Sequence, residues 1–217
     1  MKQRIIIVGA GSHAKVVLDL IETMGSFEIV GLTDPDENKW GELVLSHPVL
    51  GGDDLLPEFL AQGISNICLG VGSVNAADNR HRAQLYRTLT ELSFEAPNLH
   101  HPSSIISNTT VWTSGAIVMA GSIINASSTI GNNVLINTGA IIEHDCNLEN
   151  HAHIGPGAKI SGGVQIKEGV FVGLGACIKQ NLVIGEWATI GAGAVVLEDV
   201  PANATVVGNP AKPIRNK

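Results

Sequence analysis

The chain has 217 residues, of which 44% are hydrophobic but only 4% aromatic, and its formal net charge is −7. The acidic balance and the lack of a basic run argue against nucleic acid or an anionic membrane as a partner. The three cysteines follow no paired pattern, no apolar run has membrane-spanning length, and a strand begins almost at the first residue with no signal peptide, so we expect a cytoplasmic protein.

The first hundred residues alternate predicted strands with predicted helices. Strands are predicted at residues 4–8, 27–32 and 64–71 with a last edge strand at 94–98, and helices at 14–24, 53–62 and 79–92. Residues 35–52 are rich in turn-forming residues, and no strand or helix is assigned to them. Strands that alternate with helices predict a small parallel α/β sheet, and we place the domain boundary after residue 99.

A glycine-rich loop joins the first strand to the first helix. Residues 9–14 read Gly-Ala-Gly-Ser-His-Ala, which has the G-x-G-x-x-A spacing of a nucleotide-binding turn, and Asp34 follows where an acid would bond a ribose. Alone, this pattern suggests NAD, but a sheet of about 95 residues is half a full dinucleotide fold. We therefore favour the pyrophosphate of another nucleotide over NAD, with a purely structural turn as the alternative. His13 is unusual in such a loop and is a candidate ligand contact.

Residues 106–201 form sixteen consecutive hexads with no break in phase. The first place of every hexad is apolar: Ile106, Trp112, Val118, Ile124, Ile130, Ile136, Ile142, Leu148, Ile154, Ile160, Ile166, Val172, Ile178, Ile184, Ile190 and Val196. The fifth place is small or of modest size. A period of six fits no helix and indicates a β-solenoid in which three hexads, 18 residues, close one triangular coil. At ~4.7 Å per coil, five coils make a parallel β-helix roughly 25 Å tall. After Pro201 the phase is lost, and an irregular tail is predicted to cap the open end.

One hexad carries a candidate catalytic group. Glu143, His144 and Asp145 fill its second to fourth places, which point outward, whereas Cys146 in the fifth place points inward. An imidazole beside carboxylates on a rigid wall can act as a general base near pH 7, although a solvated charged surface is the alternative. The inward phase of Cys146 argues against a covalent nucleophile.

Two more histidines follow within ten residues and raise the question of zinc. His151 and His153 occupy the fourth and sixth places of the next hexad. Because His144 and His153 are nine residues apart, half a coil, we expect them on different faces, where they can meet only across a subunit boundary. We therefore predict no metal site.

These motifs together resemble the hexapeptide-repeat acetyltransferases, in the family of sialic-acid O-acetyltransferases and nucleotide-amino-sugar N-acetyltransferases. The resemblance rests on the hexads, on residues 9–13, and on the runs at 136–146, 153–158 and 207–212. It covers nearly the whole chain. It implies a Rossmann-like sugar-nucleotide-binding domain at residues 1–99 and a left-handed parallel β-helix, catalytic and acetyl-CoA-binding, at residues 100–217.

The resemblance also implies roles for individual residues of the solenoid. His144 corresponds to the catalytic base of the family, and Asp145 to the acid that orients it. His153 corresponds to the histidine that contacts acetyl-CoA near the thioester. Backbone groups expected to line the acetyl-CoA channel between subunits of a homotrimer are those of Gly162, Leu174 and Ala192.

On the substrate side, the family's sugar-nucleotide loop corresponds to Gly11, Ser12 and His13. Gly72 corresponds to a glycine that borders the same pocket. Relatives that bind a UDP-sugar carry two adjacent acids after the second strand, whereas this chain has Thr33 and Asp34. A dTDP- or GDP-sugar therefore stays open.

The function expected from these features is acetyl-CoA-dependent N-acetylation of a nucleotide-linked amino-deoxy sugar of the 4-amino-4,6-dideoxy type, for surface glycan biosynthesis. His144 would act as base in a direct transfer without a metal. O-acetylation of a sialic acid or a related sugar is the first alternative. A zinc-dependent hydratase and a non-enzymatic nucleotide-binding scaffold are weaker ones. The sequence does not specify the sugar, the nucleotide base or the pathway.

Overall fold

The structure is a computed structural model that describes residues 2–214. Within them the chain divides into two compact units, the first comprising residues 2–72 and 84–99 and the second residues 73–83 and 100–214. The eleven residues Ser73–Ala83 thus group with the solenoid although they lie in the middle of the α/β sequence. None of the helices in the described part of the chain is long and apolar enough to cross a membrane.

The first unit is built on a five-stranded sheet. Its strands are β1 (Gln3–Val8), β2 (Phe27–Thr33), β3 (Leu43–Val44), β4 (His47–Gly51) and β5 (Asn66–Leu69). The spatial order is β3-β4-β2-β1-β5, and every pair is parallel except β3 with β4. The predicted parallel α/β sheet is confirmed.

Three α-helices accompany this sheet. They are α1 (Ser12–Met24), α2 (Leu56–Ala61) and α3 (Ala76–Glu91). Helix α1 buries the face that its helical period predicts, Val17, Leu18 and Ile21, together with Ala14 and Leu20. It ends at Gly25, which has the left-handed conformation. Short 3₁₀ turns occupy Glu37–Lys39 and Asp53–Leu55, so the helix predicted at 53–62 is split into a turn and α2.

The strands of this unit differ from the sequence assignment at two places. No strand was assigned within the turn-rich residues 35–52, but β4 joins the sheet there parallel to β2, with Leu32 paired to Val49. Residues 94–98 form no strand and make a single bridge between Glu95 and Asn66. The ladder stops there because Pro97, the next residue whose amide would donate, has no N–H.

The second unit is a left-handed parallel β-helix with three faces built from two-residue strands, apart from the last two strands, which have three residues each. Face 1 contains β7 (Ile105–Ile106), β10 (Ile123–Ile124), β13 (Ile141–Ile142), β16 (Lys159–Ile160), β19 (Cys177–Ile178) and β22 (Val195–Val196). Face 2 contains β8 (Val111–Trp112), β11 (Thr129–Ile130), β14 (Asn147–Leu148), β17 (Gln165–Ile166) and β20 (Val183–Ile184). Face 3 contains β6 (Leu99–His100), β9 (Ile117–Val118), β12 (Leu135–Ile136), β15 (His153–Ile154), β18 (Phe171–Val172), β21 (Thr189–Ile190), β23 (Thr205–Val207) and β24 (Lys212–Ile214).

The register of the coils is 18 residues as far as β22, as the spacing predicts, and it shortens to 16 residues in the last coil, where Ile184 bridges Val200 and Ile190 pairs with Val206. Ile124 pairs with Ile142, which pairs with Ile160, and the other faces repeat the pattern. The first-place residues fill the axis and are buried from Val118 onward, whereas Ile106 and Trp112 in the first coil are partly buried. The predicted assignment of the first hexad place to the core is confirmed.

The corners of the coil need left-handed backbone at the fourth hexad place. Glycine fills this place in many hexads, because glycine adopts the left-handed backbone conformation at the lowest energetic cost. Residues with a β-carbon hold the same conformation in six hexads: Ser127, Asn133, Asp145, His151, Asn181 and Trp187. These six side chains are candidates for specific contacts, because each replaces a less strained glycine.

The end of the solenoid differs from the prediction. Strand β23 continues the stack on β21, and β24 returns antiparallel to β23, so the segment after Pro201 is not wholly irregular. The bond between Asn209 and Pro210 is cis. The last three residues of the predicted tail, 215–217, lie outside the described residues.

Candidate active site

The candidate base lies at the corner between faces 1 and 2. The Nδ1 nitrogen of His144 is 2.7 Å from Oδ2 of Asp145, and both side chains are about two-thirds exposed, at 64% and 65%. A carboxylate only accepts hydrogen bonds, so neutral His144 carries its proton on Nδ1 and a lone pair on Nε2. Nε2 is therefore the atom that can take a proton from a substrate.

Gly162 lies next to this imidazole, one coil further along the chain. A β-carbon at Gly162 would be 2.7 Å from both Cε1 and Nε2 of His144, which is closer than two carbon atoms can pack. The position therefore admits only glycine while the ring keeps its place. The Gly162 carbonyl accepts from the amide of Asn181 at 3.0 Å, whereas its own amide donates to none of the residues in the described range. That amide is suited to bind an oxyanion beside the base.

Leu174 and Ala192, also predicted to line the cosubstrate channel, lie at a different corner. They occupy successive coils between faces 3 and 1, where the Gly193 amide donates to the Leu174 carbonyl at 2.7 Å. Their amides, like that of Gly162, fall outside the coil ladder and bond to no other residue between 2 and 214. A single chain thus brings Gly162 to His144 but places Leu174 and Ala192 across face 1 from them.

His153 lies on strand β15 of face 3 and is 4% exposed. Its ring meets Phe171 edge-on at a centroid distance of 5.0 Å, and its Nδ1 is 2.5 Å from the hydroxyl of Ser73. The two histidines of the predicted site therefore occupy different parts of the prism, as their half-coil spacing predicts. The contact with Ser73 is one that sequence reasoning missed.

Cys146 faces the interior of the coil, as its hexad place predicts. It is 1% exposed, and its thiol donates to the Ser161 carbonyl at 3.2 Å. Burial raises the pKa of the Cys146 thiol; backbone hydrogen bonds oppose this rise in part, and the carboxylates of Glu143 and Asp145 add a smaller increase. Because the thiolate is the nucleophilic form, this environment opposes covalent catalysis.

His151 is also buried, and its Nδ1 is 3.0 Å from the side-chain nitrogen of Asn133. The described residues contain no group of three or more His, Cys, Asp or Glu side chains arranged to hold a metal ion.

In the first unit, the predicted nucleotide loop packs tightly against the end of β5. A β-carbon at Gly9 would be 2.5 Å from Cγ2 of Val71, and one at Gly72 would be 3.1 Å from Cβ of His13. Gly11 precedes α1 as its N-cap and has open space where a side chain would stand. Because the first turn of α1, which starts at Ser12, contains no acid, its amides keep the positive potential that attracts phosphate.

Asp34, which directly follows β2, holds the nucleotide loop in place through hydrogen bonds. Its carboxylate is buried and accepts from the amides of Ala10 at 2.8 Å and Asp36 at 3.0 Å and from Lys39 Nζ at 3.0 Å. Burial alone would raise the pKa of Asp34, but the three donors together outweigh it and lower the pKa below its usual value. Sequence reasoning gave Asp34 a ribose contact; the structure gives it a role in holding the turn and a cation, Lys39, that the sequence pattern did not indicate.

Comparisons with known proteins show the family of this chain. Residues 4–89 match the PglD N-terminal domain, and residues 127–162 match the bacterial transferase hexapeptide (six repeats). A perosamine N-acetyltransferase variant from Caulobacter crescentus, solved with CoA and GDP-perosamine, is 37% identical over 98% of this chain and 97% of its own, with a TM-score of 0.91. The chain belongs to the hexapeptide-repeat acetyltransferases.

Two further structures place this acetyltransferase among its relatives. The acetyltransferase domain of PglB from Neisseria gonorrhoeae, solved with acetyl coenzyme A, is 37% identical over 99% of this chain and all of its own, with a TM-score of 0.90. WeeI from Acinetobacter baumannii shares the fold at 24% identity over 98% of this chain and 100% of its own, with a TM-score of 0.84. No curated protein sequence gives a significant match. The acetyltransferase uses acetyl-CoA as its cosubstrate, as the sequence predicts.

Proposed function

We propose that this acetyltransferase transfers the acetyl group of acetyl-CoA to the amino group of a nucleotide-linked amino sugar of the 4-amino-4,6-dideoxy type, in surface glycan biosynthesis. The observation that carries the proposal is the His144–Asp145 pair beside the Gly162 amide, a base and an oxyanion donor on one corner. The likeness to an enzyme solved with GDP-perosamine supports an amino-sugar acceptor.

The reaction needs no covalent enzyme intermediate. The acceptor nitrogen attacks the thioester carbonyl carbon, and Nε2 of His144 takes a proton from that nitrogen as the N–C bond forms. The Gly162 amide binds the developing oxyanion. When the tetrahedral intermediate collapses, the C–S bond breaks, and the sulfur of CoA leaves with the proton returned by His144. A positioned base of this kind contributes on the order of 10²–10⁴ in rate.

The site is proposed to be completed in a homotrimer. The outward residues of face 1 are mostly apolar: Ile105, Ile123, Ile141, Lys159, Cys177 and Val195. Ile105 is 65% exposed, and an apolar column of this kind favours burial against another chain. Closed threefold packing along face 1 would bring the His144 corner of one chain toward the Leu174 corner of its neighbour, which a single chain keeps apart.

The sugar nucleotide is proposed to bind the first unit at the start of α1, between Gly11, Ser12, His13 and Gly72. The helix amides would bind the diphosphate. Asp34 would act by holding the Ala10 amide and Lys39 in place, and Lys39 can offer its charge to the same diphosphate. A cytoplasmic location, with no nucleic acid or membrane partner, is proposed with this function because acetyl-CoA and nucleotide sugars are its substrates.

The proposal is tested by release of free thiol from acetyl-CoA in the presence of UDP-, dTDP- and GDP-linked amino sugars. We expect turnover with at least one of them and a fall on the order of 10²–10⁴ in kcat for His144→Ala, with oligomeric state and acetyl-CoA binding retained. Near-normal turnover in that variant would contradict the role of His144. Turnover with none of the panel would contradict the acceptor class.

A further inference from the structure

The connection that follows β2 presents a partly exposed tryptophan, Trp40. Its indole Nε1 donates a hydrogen bond to the backbone carbonyl of Asp34 at 2.8 Å. A β-carbon at Gly52 would lie 3.2 Å from Cζ2 of the ring. Nε1 and Cζ2 lie on the same edge of the indole, so the ring is held by that edge. The residue is nevertheless 43% exposed, and because the side chain makes up most of the surface of a tryptophan, the indole itself is accessible.

Trp40 lies at the same edge of the sheet as the nucleotide loop. Strands β1 and β2 are parallel, with Val8 paired to Thr33, so the segments that follow them leave the sheet together. Ligands of open parallel sheets bind outside the carboxyl ends of the strands. Asp34 joins the two segments directly, because its carboxylate accepts from the Ala10 amide at 2.8 Å and its carbonyl accepts from Trp40.

These two bonds limit the distance between the loop and the indole. The carbonyl and carboxylate oxygens of one aspartate are about 6 Å apart at most, so the Ala10 amide and the indole nitrogen lie within about 12 Å of each other. A nucleoside diphosphate is long enough to span this separation. A ligand with its diphosphate at the start of α1 can therefore place its base against Trp40.

The carboxylate of Asp34 is poorly suited to recognise the nucleoside. It is buried and already accepts from the amides of Ala10 and Asp36 and from Lys39 Nζ. A carboxylate has about four acceptor positions, so a ribose diol would compete with the bonds that hold the loop. Recognition of the nucleoside then falls to other groups of this connection. Trp40 carries the only phenyl, phenol or indole ring in residues 34–52.

We propose that Trp40 is the platform on which the base of the sugar nucleotide stacks. The ligand in this inference rests on the proposed function, whereas the position of the indole rests on its own contacts. Every nucleobase has a flat π-surface, and stacking on an aromatic side chain does not read the hydrogen-bonding edge of the base. A purine covers more of an indole than a pyrimidine does. Trp40 therefore favours purine over pyrimidine nucleotides by contact area.

A purely structural role for Trp40 would depend on a different part of the side chain. The bond from Nε1 to the Asp34 carbonyl could hold the connection in place with no contact to a ligand. Phenylalanine keeps a flat ring but has no N–H, whereas leucine has neither. The two substitutions therefore separate stacking from the hydrogen bond.

The test measures binding of GDP and UDP to the whole enzyme by calorimetry, without acetyl-CoA or an amino sugar. Trp40→Leu should raise the Kd for GDP about 5- to 100-fold and the Kd for UDP by a smaller factor. Trp40→Phe should keep the Kd for GDP within about threefold, because the stacking ring remains. GDP should also quench the tryptophan fluorescence of the unsubstituted protein, and this quenching should be absent in Trp40→Leu.

Leu43→Ala supplies a matched control, because Leu43 is another exposed apolar side chain of the same connection, at 67%. It should change neither Kd. Equal increases for GDP and UDP in Trp40→Leu would overturn the proposal, since loss of the diphosphate site alone affects both nucleotides alike. Equal losses in Trp40→Leu and Trp40→Phe would overturn it too, because the hydrogen bond would then explain them.

The same measurements distinguish this inference from the proposed function. If the unsubstituted protein binds neither nucleotide, both the platform and the nucleotide-linked acceptor are wrong. If GDP and UDP bind but Trp40→Leu leaves both Kd values unchanged, the platform is wrong and the acceptor class stands. If binding responds as expected but no amino sugar is acetylated, the acceptor class is wrong and the role of Trp40 stands.

Discussion

A β-carbon on Gly162 would lie 2.7 Å from the Cε1 and Nε2 atoms of His144, so the imidazole rests on bare backbone one coil below it. Gly162→Ala should displace the ring, because an exposed side chain yields more readily than the stacked coils. We expect kcat to fall about 10- to 100-fold, since small misplacements of a base are costly, while Tm changes little.

The control for this variant is Ser161→Ala, which introduces the same side chain one residue earlier without approaching the ring. It should retain turnover. Equal losses in the two variants would show that the site tolerates no change in this coil, and would contradict the specific contact between Gly162 and His144.

At Asp145, the effect of the side chain on catalysis can be measured separately from its effect on backbone stability. Its φ of 59° lies in the left-handed region, where glycine is preferred, yet its carboxylate holds Nδ1 of His144. Asp145→Gly should therefore keep the free energy of unfolding within about 1 kcal/mol of the original and lower kcat about tenfold or more through loss of ring orientation. Denaturant unfolding and steady-state kinetics on the same samples measure both. A large loss of stability would mean that the carboxylate serves the fold.

The buried thiol of Cys146 should be inert. Under native conditions iodoacetamide should leave Cys146 unmodified, and it should label this thiol only after unfolding, as peptide mass spectrometry will show. Cys146→Ala should keep kcat within about threefold while costing about 1–2 kcal/mol of stability from the vacated core volume. An acetyl group found on Cys146 after incubation with acetyl-CoA would refute direct transfer.

Asp34 makes the stability of the first unit depend on pH. Its folded-state pKa is lowered, so its contribution is complete above the unfolded pKa of about 3.9 and is lost as pH falls through the lower folded value. Asp34→Asn should cost about 1–3 kcal/mol at pH 7, because an amide cannot accept from all three donors, and the difference from the original should shrink in acid.

Asp36→Asn makes the same change at an exposed carboxylate two residues away and should cost less at pH 7. Chemical unfolding at a series of pH values measures both variants. A constant difference across the acid range for Asp34→Asn would contradict the role of its charge.

The sequence predicted the solenoid almost completely because each hexad repeats one physical demand, an apolar residue on the axis and a small one at the corner. The same phase placed His144 outside and Cys146 inside. It also predicted the separation of His144 and His153, because position along a regular coil follows from counting. Elements that occur only once in the chain were harder to predict. Strand β4 lies in a turn-rich segment, and its place in the sheet comes from pairing with β2 rather than from its own pattern.

The polar contacts of the site were the least predictable. Ser73 meets His153 across 80 residues of sequence, and no local spacing relates a serine after one strand to a histidine in a distant repeat. Lys39 lies only five residues after Asp34, but a lysine in a turn-rich loop is more often solvated than paired. Such contacts depend on how side chains pack after the backbone is set.

The 18-residue register also constrains how this chain can change length. Loss or duplication of one whole coil leaves every later residue on its original face, whereas a single-residue insertion within a strand turns inward-pointing residues outward for the rest of that coil. Length differences among relatives within the solenoid should therefore occur as multiples of 18, or as loops extruded at a corner. Adding a coil beyond Gly162 would keep Gly162 beside His144 and would lengthen the proposed acetyl-CoA channel. An enzyme of this fold could therefore accommodate a longer acyl carrier by gaining whole coils.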